Sequence, residues 1–104
     1  MNSKYQFKIT VESIPGQLPG KTENTYFSPL EFHVGNHDNI LEIVQKIRAS
    51  SIFDENSATS FAVGLKLFTE IMLQNKDNPL FEELRPAMLA FMKKLKTQLK
   101  ANQA

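Results

Sequence analysis

The sequence predicts a single α+β domain over residues 1–104, an N-terminal antiparallel β-hairpin packed on three α-helices in the order β-β-α-α-α. Three observations predict it. Residues 4–13 and 25–34 alternate polar and apolar side chains with period two, the pattern of half-buried antiparallel strands. From about residue 38 onward the apolar residues recur with helical spacing. Within that region, residues 57–75 (SATSFAVGLKLFTEIMLQN) are apolar around most of a helical circumference, so this helix must be covered on several sides and is expected to be central.

In the first strand Tyr5, Phe7, Ile9 and Val11 point one way, while Lys4, Gln6, Lys8, Thr10 and Glu12 point the other. Residues 14–24 (IPGQLPGKTEN) hold two Pro-Gly pairs and read as a loop with tight turns. In the second strand Tyr26, Leu30, Phe32 and Val34 share a face, with Ser28 at the gap, and Phe27, Pro29, Glu31 and His33 share the other. Pro29 cannot donate a ladder hydrogen bond, which predicts an edge position there. A lone hairpin is marginal in water, so the helices are expected to cover its apolar face.

Asn36 or Asp38 is expected to cap a first helix running to about Ala49, with Ile40, Leu41, Ile43, Val44 and Ile47 as its buried stripe. Ser50 and Ser51 end it. The acidic and cap-forming stretch Asp54-Glu55-Asn56-Ser57 suits the start of the central helix, with Phe53 placed to pack back on the first turns. On that helix Phe61, Leu65, Phe68 and Met72 centre the apolar side, flanked by Ala58 and Ala62 and by Leu67 and Ile71. Thr59, Lys66, Glu70 and Gln74 form a narrow polar strip. Gly64 interrupts the apolar side; because glycine costs about 1 kcal/mol there relative to alanine, it is expected to mark close approach of another element. The last helix is expected over Pro79 to Lys100, with Leu80, Leu84, Met88, Phe91, Met92, Leu95 and Leu99 as its stripe and a kink or break near Arg85 caused by Pro86.

The stretches SATSFAVGLKLFTEIML and NPLFEELRPAMLAFMKKLK, with the order of the elements, resemble a small family of uncharacterised bacterial proteins known as a domain of unknown function. The resemblance extends from Tyr5 to Lys96. It implies two strands followed by helices and brings no activity, ligand or catalytic residue.

Composition narrows the functional classes. With no cysteine, a disulfide framework, a thiol nucleophile and a Cys-ligated metal site are all excluded. Eight Phe and no Trp point to a Phe-rich core. The alternating start MNSKYQFKITV lacks the apolar run of a signal peptide, and no segment approaches the ~20 apolar residues of a membrane span. A cytoplasmic location is therefore expected. A net charge of +1 supplies no global field for nucleic acid or anionic membranes.

Few side chains suggest chemistry. His33, His37 and Asp38 fall across a strand-to-helix turn, a spacing better suited to a solvent-facing strand residue and a capped turn than to a metal site. Ser50, Ser51, Ser57 and Ser60 lack a partner histidine in an elbow motif, and Glu70, Glu82 and Glu83 near Arg85 read as solvated helix faces. No catalytic, cofactor-binding or metal-binding residue is assigned, and no cofactor is expected. Met72, Met88 and Met92 can line an adaptable groove, although gap-filling between helices is the simpler role. The function expected is a non-enzymatic, self-associating protein-interaction module. The alternative is a small nucleic-acid-associated regulator, given a helix-turn-helix outline and Lys93, Lys94, Lys96 and Lys100. Those lysines equally suit a helix C-terminus. An enzyme or ligand-binding protein without a recognisable motif comes third. The partner expected first is a second copy of the chain, paired along the Tyr5–Val11 edge, which carries no proline and is only partly guarded by Lys4 and Lys8.

Overall fold

The computed structural model describes residues 5–14 and 28–101. The Pro-Gly turns at 15–20, Tyr26 and Phe27 of the expected second strand, and the end at 102–104 lie outside the described residues. The architecture is the expected β-β-α-α-α. Strands β1 (Tyr5–Val11) and β2 (Leu30–Asn36) pair antiparallel, and helices α1 (Ile40–Ser50), α2 (Glu55–Gln74) and α3 (Leu84–Ala101) follow.

The register joins Tyr5 to Asn36, Phe7 to Val34, Ile9 to Phe32 and Val11 to Leu30, so the apolar sides of both strands share one face. The helices cover only part of that face. Phe7 packs on the core, whereas Val11 and Leu30 are each 59% exposed at the far end. The expectation that the helices hide the apolar face is thus met near Tyr5 and Asn36 and fails toward the tip of the hairpin.

β2 lies later in the chain than its alternation suggested, because it runs on through Gly35 to Asn36. Asn36 is consequently a buried strand residue and not a cap. Asn39 caps α1 instead, its side-chain oxygen accepting from the Leu41 N–H at 3.1 Å. Ile40, Val44 and Ile47 are buried at i, i+4 and i+7, but Leu41 sits a full step off that line and faces solvent. Ser51 ends α1 in the left-handed region at φ 63°, its N–H bonded to the Arg48 carbonyl.

Asp54 opens α2 by accepting from the Ser57 N–H at 2.7 Å, a bond that holds its carboxyl below the usual carboxylate range. Phe53 folds back so that its ring lies 5.0 Å from that of Phe61. The central role of α2 is plain from its neighbours: fully buried Ala58 and Ala62 let α1 approach closely, and the core cluster they form with Ile40, Val44 and Ile47 is joined by Phe7, Phe61, Leu67 and Leu99.

Among the described residues one side of α2 is largely bare, with Phe81 touching it at Phe68. Ser57, Ser60, Gly64, Phe68 and Ile71 fall on it at about 100° per residue, and all five are exposed. The expected close approach at Gly64 is absent: a methyl group built there would meet nothing within 4 Å. Among the described residues nothing compensates the low helix propensity of this glycine. Gly64→Ala should therefore raise the unfolding free energy by about 1 kcal/mol in urea titrations of the dilute, monomeric chain.

The last helix is broken rather than bent. A 3-10 turn, Pro79–Phe81, is capped by Asn78, and α3 begins only at Leu84, which places Pro86 in the first turn where its missing N–H breaks no helical bond. The break rotates the preceding turn. Leu80, expected in the stripe, is exposed, and Phe81 is buried against Phe68 at 6.0 Å in an edge-to-face contact. No residue of α3 is fully buried. Met88, Met92, Leu95 and Leu99 are half-buried, while Leu84, Leu89 and Phe91 are exposed.

Candidate functional site

The turn between β2 and α1 is fastened to the middle of α2 by side chains far apart in sequence. Asn36 is 1% exposed. Its Nδ2 donates to the Lys66 carbonyl at 3.0 Å, and its Oδ1 accepts from the Asp38 N–H at 3.0 Å. Beside it, Glu70 is 7% exposed and lies against His37, whose Nδ1 is 3.1 Å from each carboxylate oxygen. The His37 backbone N–H donates to the same carboxylate at 3.4 Å, and Gln74 Nε2 donates to it at 3.3 Å. Lys66 Nζ reaches Asp38 at 2.6 Å.

This corrects the sequence reading of α2. Glu70 and Lys66 were expected on a solvated polar strip, yet both are withdrawn from water and bonded to the turn. The strip is polar because it meets the polar end of the hairpin. Each buried charge has the partners that make its burial tolerable. Among the described residues, every buried side-chain nitrogen or oxygen has a hydrogen-bond partner.

The Lys66 ammonium, through its hydrogen bond and then its charge, holds the Asp38 carboxyl below the usual carboxylate range, outweighing the opposing effect of partial burial. The folded state thus binds this proton less tightly than the unfolded chain. The stabilisation is fully present above the unfolded value, near 3.8, and is lost as pH falls through the lower folded value. Asp38→Asn should flatten the decline of stability below about pH 4, measured as urea midpoint against pH.

Adjacent to these pairs is a cleft of about 390 Å³, between the β2–α1 turn, the C-terminal half of α2 and the N-terminal half of α3. Its walls are mostly apolar: Met72 and Leu73 from α2, and Met88, Leu89 and Met92 from α3. The methionines lie between the two long helices and line an open cleft there instead of filling it. Arg85 sits at the rim, its Nη2 donating to the Asn75 carbonyl at 3.0 Å and to the Asn78 carbonyl at 3.4 Å.

The other sequence candidates are scattered. His33 is an exposed strand residue paired with Lys8, far in register from the His37 turn. Asp38 turns to Lys66 and His37 to Glu70, so His33, His37 and Asp38 do not converge. The Ser50 hydroxyl donates to the Ile47 carbonyl at 2.6 Å and accepts from the Ile52 N–H, a helix-end role. Glu82 and Glu83 lie in the exposed turn before α3. Sequence reasoning missed Asn36, Glu70 and Arg85. The available signal was a carboxylate on a helix otherwise apolar round its girth, though nothing local linked it to a residue 33 positions earlier.

A family model described as a domain of unknown function with a solved structure, DUF3861, matches residues 5–97. The chain belongs to this family. A crystal structure of a protein of unknown function from Pectobacterium atrosepticum is similar to this DUF3861 chain, with 32% identity and a TM-score of 0.74. The alignment covers 89% of this chain and 97% of that one. No curated protein matches the sequence. Among the described residues of this DUF3861 protein, no helix is long and apolar enough to cross a membrane.

Proposed function

We infer that this DUF3861 protein is a non-enzymatic cytoplasmic interaction module that self-associates, with the bare side of α2 as its contact surface. The observation that carries the reading is the character of that side. Phe68 is 41% and Ile71 48% exposed, Gly64 forms a notch between them and the N-terminal serines, and Ser57, Ser60, Gly64, Phe68 and Ile71 include no charged residue. A two-fold interface sets a surface against its own copy, so a charge-free face is self-compatible. A mid-helix glycine with no neighbour among the described residues suits the backbone of a second helix. Static light scattering over a range of concentrations should give a dimer for the wild type and a monomer for Ile71→Lys, which would oppose like charges across the axis. A monomeric wild type at every concentration contradicts the reading.

The outer edge of β1 is a second surface for the same function. In the two-stranded sheet of the described residues β1 is hydrogen-bonded to β2 as its strand neighbour, and the apolar tip at Val11 and Leu30 lies alongside. Pairing β1 with its copy would give a four-stranded sheet. If this edge is the contact, Thr10→Pro abolishes the dimer and Ile71→Lys leaves it intact.

A role as a nucleic-acid-associated regulator draws support from Lys93, Lys94, Lys96 and Lys100, all exposed on α3. Against it, the only basic residue of α2 is Lys66, which is turned inward to Asp38, so α2 offers no recognition face. Salt-dependent retention on a DNA column would favour the regulator over the interaction module.

A further inference from the structure

The Met-walled cleft lies on the side of α2 away from Gly64, Phe68 and Ile71, and self-association through that bare side does not account for it. Its volume of about 390 Å³ falls in the range of small-molecule sites, which run from about 300 to 1,000 Å³. Met72, Met88 and Met92 give it walls that reshape around an apolar body, because thioether side chains are unbranched and polarisable.

The charges around the cleft indicate the polar end of the occupant. Lys66 is neutralised by Asp38, and Glu70 is engaged by His37 and Gln74. Arg85 differs. It forms no ion pair with any carboxylate among the described residues. Two backbone carbonyls hold one of its terminal nitrogens and so fix the guanidinium at the rim. Its remaining N–H groups have no acceptor among the described residues. A planar cation fixed in this way, with donors to spare, suits a carboxylate, which it can bind through two parallel hydrogen bonds.

We propose that the cleft binds a small amphipathic carboxylate, a short acyl chain or comparable apolar body, with the chain on Met72, Met88 and Met92 and the carboxylate on Arg85. The Asp38 and Glu70 carboxylates, which also line the cleft and are each already satisfied, disfavour a second anionic group on the ligand.

Octanoate and octanol are the probes, titrated into protein labelled with carbon-13 at the methionine methyls. Octanoate should shift the Met72, Met88 and Met92 signals saturably and bind more tightly than octanol. Arg85→Ala should weaken octanoate by about tenfold or more, the worth of a charged hydrogen bond, and leave octanol unchanged. Arg85→Lys, which keeps the charge but not the fork, should fall between. The proposal is overturned if octanoate shifts none of the three methyls saturably, if octanol binds the wild type as well as octanoate, or if Arg85→Ala binds octanoate like the wild type. The octanoate–octanol comparison needs only wild-type protein, so it decides the matter even if Arg85→Ala fails to fold.

Discussion

Replacing Ile47 by alanine is expected to cost about 2–5 kcal/mol of stability, the range for truncating a well-packed core isoleucine. Ile47 is 0% exposed and is the largest fully buried side chain among the described residues. It sits where the molecule has least to spare. The buried cluster is Ile40, Val44 and Ile47 of α1 against Ala58 and Ala62 of α2, with Phe7 and Leu99 bringing β1 and α3 to the same point. Fully buried alanines have no long side chains to swing into a vacated space, and tightly apposed helix backbones collapse poorly, so the cavity term should persist. Domains of this size typically have only about 5–15 kcal/mol in total. Ile47→Val, which removes one methyl, should cost about 0.5–1.5 kcal/mol. Urea unfolding followed by circular dichroism gives both values; a loss under 1 kcal/mol for Ile47→Ala would mean that α1 and α2 repack freely. Leu41→Ala, on the exposed side of α1, is the control and should change stability little.

Asn36→Ala is expected to destabilise by about 1–3 kcal/mol although it removes little apolar area, because it leaves buried polar groups without partners. The amide is donor to the Lys66 carbonyl and acceptor from the Asp38 N–H at once. It therefore ties the end of β2 to both the turn and the middle of α2. Asn36→Asp separates the two bonds. It keeps the acceptor for Asp38 but sets an oxygen against the Lys66 carbonyl, so at neutral pH it should be no more stable than the alanine variant. Amide hydrogen exchange supplies a second readout: the Asp38 N–H should lose protection in Asn36→Ala and retain some in Asn36→Asp. Equal protection in wild type and Asn36→Ala would show that the turn is held by Lys66–Asp38 and His37–Glu70 alone.

The residues that the sequence placed well are those whose environment is set by near neighbours in the chain. Period-two alternation found both strands, and helical spacing found α1, α2 and the α1 stripe Ile40, Val44 and Ile47, because a buried face imposes its period on the residues that form it. On α2 helical spacing centred the apolar side on Phe61, Leu65, Phe68 and Met72, whereas the fully buried residues are the flanking Ala58 and Ala62 and Phe68 is exposed. Asp54, Phe53 and Pro79 were legible for the same reason, since caps, staples and first-turn prolines act within a few positions. The cleft was legible only in part: its methionines carried a signal, while Arg85 and the Glu70 pairs did not.

What the sequence alone determined is the class β-β-α-α-α, the centrality of α2 and the absence of cysteine chemistry. Tertiary structure alone decided which side of each element finds a partner. Glu70 and Lys66 looked like solvent-facing residues, and they are inward because the β2–α1 turn docks there. Gly64 looked like a contact point, and among the described residues α1, the hairpin and α3 meet α2 elsewhere. Periodicity fixes how apolar and polar residues are arranged around an element, but coverage depends on where distant elements cross it, and those crossings are chosen by the packing of the whole chain.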